Sequence, residues 1–245
     1  CTRDDIMTYL ISMGVESEES FKIMEAVRKG KVANGKEPKW EAWKQDLIAH
    51  GVPDWYIWSC ELIKYMFPKA HAAAYVMMAW RIAYCKIYYP LAFYAAFFSI
   101  RAKAFNYEDM CQGKSRLEEK MKEVQKKIDD DTATPKDGDS MRDMRIVQEM
   151  YARGFEFMKI DIYKAKARDF QIIDGKIMPA FTAIEGLGEK NAEQIEDAAR
   201  RGKFVSKDDF QERTKTSKTT IEVMDRLGIL SGLPQSNQLS IFDFT

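Results

Sequence analysis

Histidine and cysteine are scarce in this chain of 245 residues: there are two histidines, His50 and His71, and four cysteines, Cys1, Cys60, Cys85 and Cys111, with no Cys-x-x-Cys spacing. That shortage argues against a disulfide framework and a structural zinc site, and the compartment reads as cytoplasmic. Net charge is missing as well. The 38 basic side chains balance 38 acidic ones, so no bulk field draws the molecule onto nucleic acid or a membrane, and any anion site has to be local. Nor is there a run apolar enough to span a bilayer. Residues 70–100 are interrupted by His71, Arg81, Lys86 and Pro90, and the longest uncharged run there, 87–100, falls short of the roughly 18–20 residues required. This stretch is expected to be a buried helix pair, with no membrane role.

What the chain does have is apolar mass. Its 46% hydrophobic content fills a sizeable core and excludes disorder of the whole. The opening Cys1-Thr2-Arg3-Asp4-Asp5 carries no initiator Met, signal peptide or linker, and the chain is expected to be a piece of something larger. Apolar residues then recur at three and four through Ile6, Leu10 and Met13 and through Phe21, Met24 and Val27, which predicts short helices across the first hundred residues. A long helix is predicted over 71–89, ending before Pro90, and a second over 91–101.

From 111 to 145 charged residues crowd around a narrow seam of Leu117, Met121, Val124 and Ile128, the pattern of a solvated helix. Residues 129–138 read as an exposed loop and helix resumes over 141–153. The single β signal is Phe170-Gln171-Ile172-Ile173, an Asp174-Gly175 turn and Lys176-Ile177-Met178. Helices follow over 189–201, after a Ser206 cap and after a Ser217 cap. The fold class is therefore mainly α with a small α+β part and a flexible tail. Expected divisions are 1–112, a charged connector over 113–140, 141–233 and a tail over 234–245.

Three motifs bear chemistry. Residues 62–107 contain no Asp or Glu yet carry Lys64, Lys69, Arg81, Lys86, Arg101 and Lys103. Within them lies Phe67-Pro68-Lys69-Ala70-His71-Ala72-Ala73-Ala74-Tyr75, where His71 and Tyr75 share a helix face and Lys69 stands at the helix start. A lysine charge, an imidazole hydrogen bond and a phenol ring for stacking suit a nucleoside polyphosphate. The competing reading makes His71 and Tyr75 satisfied core residues of an alanine-rich helix. Second, Ile184-Glu185-Gly186-Leu187-Gly188-Glu189-Lys190-Asn191 has the hydrophobic–Gly-x-Gly–helix order of a helix-hairpin-helix turn, whose backbone N–H groups meet a phosphate without reading bases. Gly186, Gly188, Lys190 and Asn191 are its candidates, because Glu185 and Glu189 would repel an anion. A plain helix entry is the alternative. Third, Gln238-Leu239-Ser240-Ile241-Phe242 follows a polar stretch and presents apolar side chains on a tether.

The segment from Lys64 through Phe67-Pro68-Lys69-Ala70-His71 and Tyr75 to Trp80-Arg81-Ile82-Ala83-Tyr84 resembles the fingers of PolC-type, Gram-positive-type alpha subunits of DNA polymerase III, in the bacterial C-family. Arg3-Asp4-Asp5-Ile6-Met7, Phe21-Lys22-Ile23-Met24-Glu25 and Val27-Arg28-Lys29-Gly30-Lys31 resemble that family too, as do the hairpin region and Gln238 to Asp243. The resemblance covers nearly the whole chain and matches least over 111–145. It implies fingers in 1–112, a duplex-binding domain in 141–233 and a sliding-clamp peptide in the tail. By the same resemblance Phe67, Lys69, His71 and Tyr75 face the incoming deoxynucleoside triphosphate; Arg28, Lys29 and Lys31 are candidates to touch template or triphosphate, the alternative being a plain solvated face.

Two-metal synthesis needs paired carboxylates, and no Asp-x-Asp is expected on a strand here. The resemblance places those aspartates, with their Mg2+, in an upstream palm, so no catalytic or metal-binding residue and no cofactor are expected in this chain. Expected partners are primer-template DNA, dNTP, the sliding clamp and other replisome subunits. The rival reading is a noncatalytic DNA-binding adaptor that recruits a partner through the clamp peptide.

Overall fold

The computed structural model describes residues 1–236. Among the described residues the chain is mainly α-helical with one two-stranded sheet, and it divides into two compact units, Cys1–Ala83 and the chain from Tyr84 onward. Each has its own core.

In the first unit, α1 (Arg3–Ser12) packs on α2 (Ser17–Arg28), and α3 (Trp40–Ala49) and α4 (Asp54–Leu62) complete the cluster. Ile6, Leu10, Ile23, Val27, Leu47 and Ile57 are all but inaccessible, the inward stripe that the three-and-four spacing predicts. Gly30 follows α2 with φ +66°, and a Cβ there would lie 2.3 Å from the Lys64 carbonyl oxygen. Only glycine allows this approach. It brings the chain back across α2, where Met66 N–H donates to the Arg28 carbonyl at 3.1 Å and Arg3 N–H to the Phe67 carbonyl at 3.1 Å.

The helical stretch that follows has three parts: α5 (Lys69–His71), a π-helical turn (Ala72–Val76) and α6 (Met77–Tyr88). None of their residues is buried. The expectation of a buried pair over 70–100 is therefore corrected for its first helix: Trp80 is 75% exposed and Tyr75 66%. Apolar composition marks a side chain that gains from cover, but it does not say where the cover comes from.

The second unit takes in the end of α6 and then α7 (Pro90–Ile100), whose N1 proline is preset for a helix start and which buries Tyr94, Ala95 and Phe98. Phe98 meets Phe105, Phe157 and Phe170 at ring-centre distances of 5.0–5.6 Å. After α8 (Tyr107–Met110) come α9 (Lys114–Asp129) and α10 (Pro135–Ala152), packed against each other. The seam of α9 is as read, with Leu117 and Val124 buried.

The start of α10 differs from expectation. Residues 135–140 are helix rather than loop, because Thr134 and Asp137 form a capping box ahead of Pro135 at N1. Strands β1 (Gln171–Ile173) and β2 (Lys176–Met178) pair antiparallel through Asp174 and Gly175, both at positive φ, a mirror-image turn that suits Asp-Gly. A 3-10 turn (Phe181–Ala183) leads to α11 (Glu189–Arg200), α12 (Lys207–Thr214) and α13 (Lys218–Arg226). Ser206 and Ser217 cap the last two as predicted. Among the described residues no helix is long and apolar enough to cross a membrane.

Candidate functional site

Two sites take shape, one in each unit. In the first, the Pro68 turn sends α5 off the surface of α1 and α2, and rings gather on one side. Phe67 stacks on His71 with centres 4.4 Å apart and planes 20° apart; His71 meets Tyr75 at 4.8 Å; Tyr65 abuts Phe67 edge-on at 4.9 Å. The four-residue spacing of Phe67, His71 and Tyr75 produces this ladder. It is open to solvent, with Phe67 53% exposed and His71 partly so, so His71 and Tyr75 are not core residues.

Lys69 is exposed beside the rings. Its backbone N–H donates to Asp4 Oδ2 at 2.6 Å, which caps the helix start with a carboxylate of the chain itself. The π turn, in which Met77 N–H reaches back to the Ala72 carbonyl, inserts one residue directly beyond His71, and Ala72, Ala73 and Ala74 leave it unobstructed. Such turns recur at functional sites; no signal in the composition announced it.

The nearby basic run is partly neutralised. Glu25 binds Arg28 through a paired contact, with Lys29 at 2.8 Å and Arg3 at 3.7 Å. The Arg28 hydrogen bond, helped by Lys29, holds the Glu25 carboxyl down at about 2. Arg28 and Lys29 are thus engaged, and Lys31 stands exposed on the same face.

The second site is the hairpin ahead of α11. Ile184 and Leu187 are 1% and 5% exposed and anchor the turn from within, with Leu187 N–H donating to the Ile184 carbonyl at 3.1 Å. Gly186 adopts φ +79°, a conformation costly to other residues, and Gly188 serves as the N-cap of α11. Gly186, Gly188 and Lys190 all face solvent. The Asn191 side chain turns inward and donates to the Thr214 carbonyl at 2.8 Å, tying the hairpin to the end of α12.

The two carboxylates that counted against an anion here are both engaged. Glu189 lies 3.2 Å from Arg168, and Glu185 accepts a hydrogen bond of 3.4 Å from Asn106. A cleft of about 390 Å3 runs beside the hairpin, lined in part by Gly186, Gly188, Asn106, Lys103 and Lys136. The two lysines were not among the sequence candidates. Lys103 stands in the acid-free stretch, whereas Lys136 sits in a segment whose acids mask it.

The third motif, Gln238 to Phe242, lies outside the described residues. Among the described residues no three of His, Cys, Asp and Glu come together to hold a metal ion.

A sequence model of the helix-hairpin-helix motif matches residues 154–239, the stretch that holds the hairpin. Proteins named DNA polymerase III PolC-type match nearly the full chain. One from Listeria welshimeri is 51% identical over 241 residues, covering 98% of this chain and 16% of the relative. Another, from Caldanaerobacter subterraneus, is 47% identical over 240 residues, 98% of this chain and 17% of the relative. A third, from Streptococcus pyogenes, is 46% identical over 241 residues. Across 98% of its length, then, this chain is homologous to a portion of DNA polymerase III PolC-type that makes up 16–17% of those proteins.

Proposed function

We propose that this chain is the C-terminal portion of a bacterial replicative DNA polymerase of the PolC type, divided into fingers (1–112), a connector (113–140), a duplex-binding domain (141–233) and a clamp-binding tail (234–245). The fingers receive the incoming dNTP: Lys69 contacts the triphosphate, His71 donates a hydrogen bond, and Tyr75, with Phe67 behind His71, offers its ring to the base. The observation that carries this reading is the solvent-open ladder of Phe67, His71 and Tyr75 with Lys69 at its foot. An aromatic face suits any of the four bases, because stacking is indifferent to base identity. That is what a replicative enzyme requires of a residue that must accept each nucleotide in turn.

The hairpin grips primer-template duplex through backbone N–H groups of Gly186 and Gly188, with Lys190 adding charge and Asn191 bracing the turn. Contacts of this kind hold a duplex in register without reading sequence. Gln238, Leu239, Ser240, Ile241 and Phe242 engage the sliding clamp, tethering the enzyme among the other replisome subunits in the cytoplasm. Chemistry belongs to an upstream palm that binds Mg2+ through its own aspartates, and the chain alone is inactive. A photoreactive dNTP analogue bound to the whole polymerase with primer-template is expected to crosslink to His71 or Tyr75. Duplex binding without any nucleotide-dependent label on the ladder would instead favour the noncatalytic adaptor.

A further inference from the structure

The cleft beside the hairpin holds two cations that neither the hairpin motif nor the sequence candidates include, and we infer that Lys103 and Lys136 are phosphate contacts for the same duplex, extending the hairpin's grip along the backbone. This rests on the duplex reading of the hairpin and adds two residues from other elements to it. Three observations carry it.

The first is convergence. Lys103 precedes α8, Lys136 opens α10, and both line the cleft whose wall is Gly186 and Gly188. The second is that both are unspent. Several cations near them in sequence are paired: Arg116 with Asp109 at 3.4 Å, Lys120 with Glu123 at 3.2 Å, Lys127 with Asp137 at 3.2 Å and Arg142 with Asp139 at 3.0 Å. Lys103 and Lys136 are exposed and form no ion pair among the described residues. The acid in the cleft lining, Glu185, is turned onto Asn106.

The third is that the backbone under each lysine is fixed. The Lys103 and Ala104 N–H groups donate to Asp143 Oδ2 at 2.9 and 2.8 Å, and Asp143 is 2% exposed. Lys136 follows Pro135 inside the Thr134–Asp137 capping box. Their stems start from rigid positions, which lowers the ordering cost of binding a phosphate.

Two cations beside a turn of exposed N–H groups match a polyanion of repeating phosphates, and a duplex supplies it with no base readout. Binding of this chain to a fluorescent duplex of arbitrary sequence, followed across a salt series from low salt upward, tests the assignment. Each phosphate contact steepens the log–log salt dependence by about 0.9, so the K103Q/K136Q pair is expected to flatten it by about 1.8. K122Q, on α9 in a different groove and outside the lining of this cleft, is expected to leave the slope as it is. An unchanged slope for the pair, or an equal loss with K122Q, overturns the assignment. K190Q separates this from the parent reading: if it flattens the slope while the lysine pair does not, the hairpin stands and the extension falls. If none of the variants matters, or the chain binds no duplex at low salt, both fall.

Discussion

Glu25 shows how much a single side chain can organise. It gathers Arg28, Lys29 and Arg3, and through them joins the end of α2 to the start of α1, the surface from which the ring ladder departs. Arg28 above all holds its carboxyl at about 2, against an ordinary 4.5. A carboxyl depressed by folding contributes stability that is fully present above its unfolded value and is lost as pH falls through the folded one. Stability is therefore expected to decline between pH about 5 and 2, and Glu25→Gln to flatten that decline; denaturant titrations at a series of pH values measure it. An identical decline in the variant would show that Glu25 is not what titrates. At this scale the sequence was informative about chemistry but not about setting. The four-residue spacing of His71 and Tyr75 is the same for a packed pair and an open one, and only the outward course of α5 separates them. The capping of Lys69 N–H by Asp4, 65 positions away, leaves no trace in a local pattern.

At the scale of elements, the route from α2 to the ladder passes through Gly30. A side chain there requires a left-handed backbone, at about 1–3 kcal/mol, and also collides with the Lys64 carbonyl. Gly30→Ala is expected to lower stability by at least that amount, read from the midpoint of urea unfolding at unchanged slope. A shift below about 0.5 kcal/mol, the scale of an ordinary surface change, would mean that the approach is not tight. The serine caps and the Asp-Gly hairpin were legible, because each is a local rule with its partners within a few residues. The beginning of α10 was misplaced, since Asp, Gly and Thr together suggest a loop unless Thr134 and Asp137 are recognised as a reciprocal cap. The π turn was not legible at all: it depends on hydrogen-bond register, and alanines fit an α or a π turn equally well.

At the scale of the molecule, balanced net charge concentrates attention on local arrangements. One unit carries a ring ladder with a lysine; the other carries a hairpin, a cleft and two unspent lysines. Each is built on a separate core, and the relatives at 46–51% identity are about six times as long. Apolar side chains along α6, among them Trp80, Ile82, Tyr84 and Ile87, are exposed, and a surface of this kind is costly to leave in water.

The central claim is that the ring ladder receives the incoming nucleotide. Steady-state kinetics of the intact polymerase carrying Tyr75→Ala tests it directly. Loss of base–aromatic stacking, about 1–3 kcal/mol, predicts a rise in KM of about fivefold to more than a hundredfold for each of the four dNTPs, with the affinity for primer-template unchanged. A KM equal to that of the unaltered enzyme would contradict the assignment.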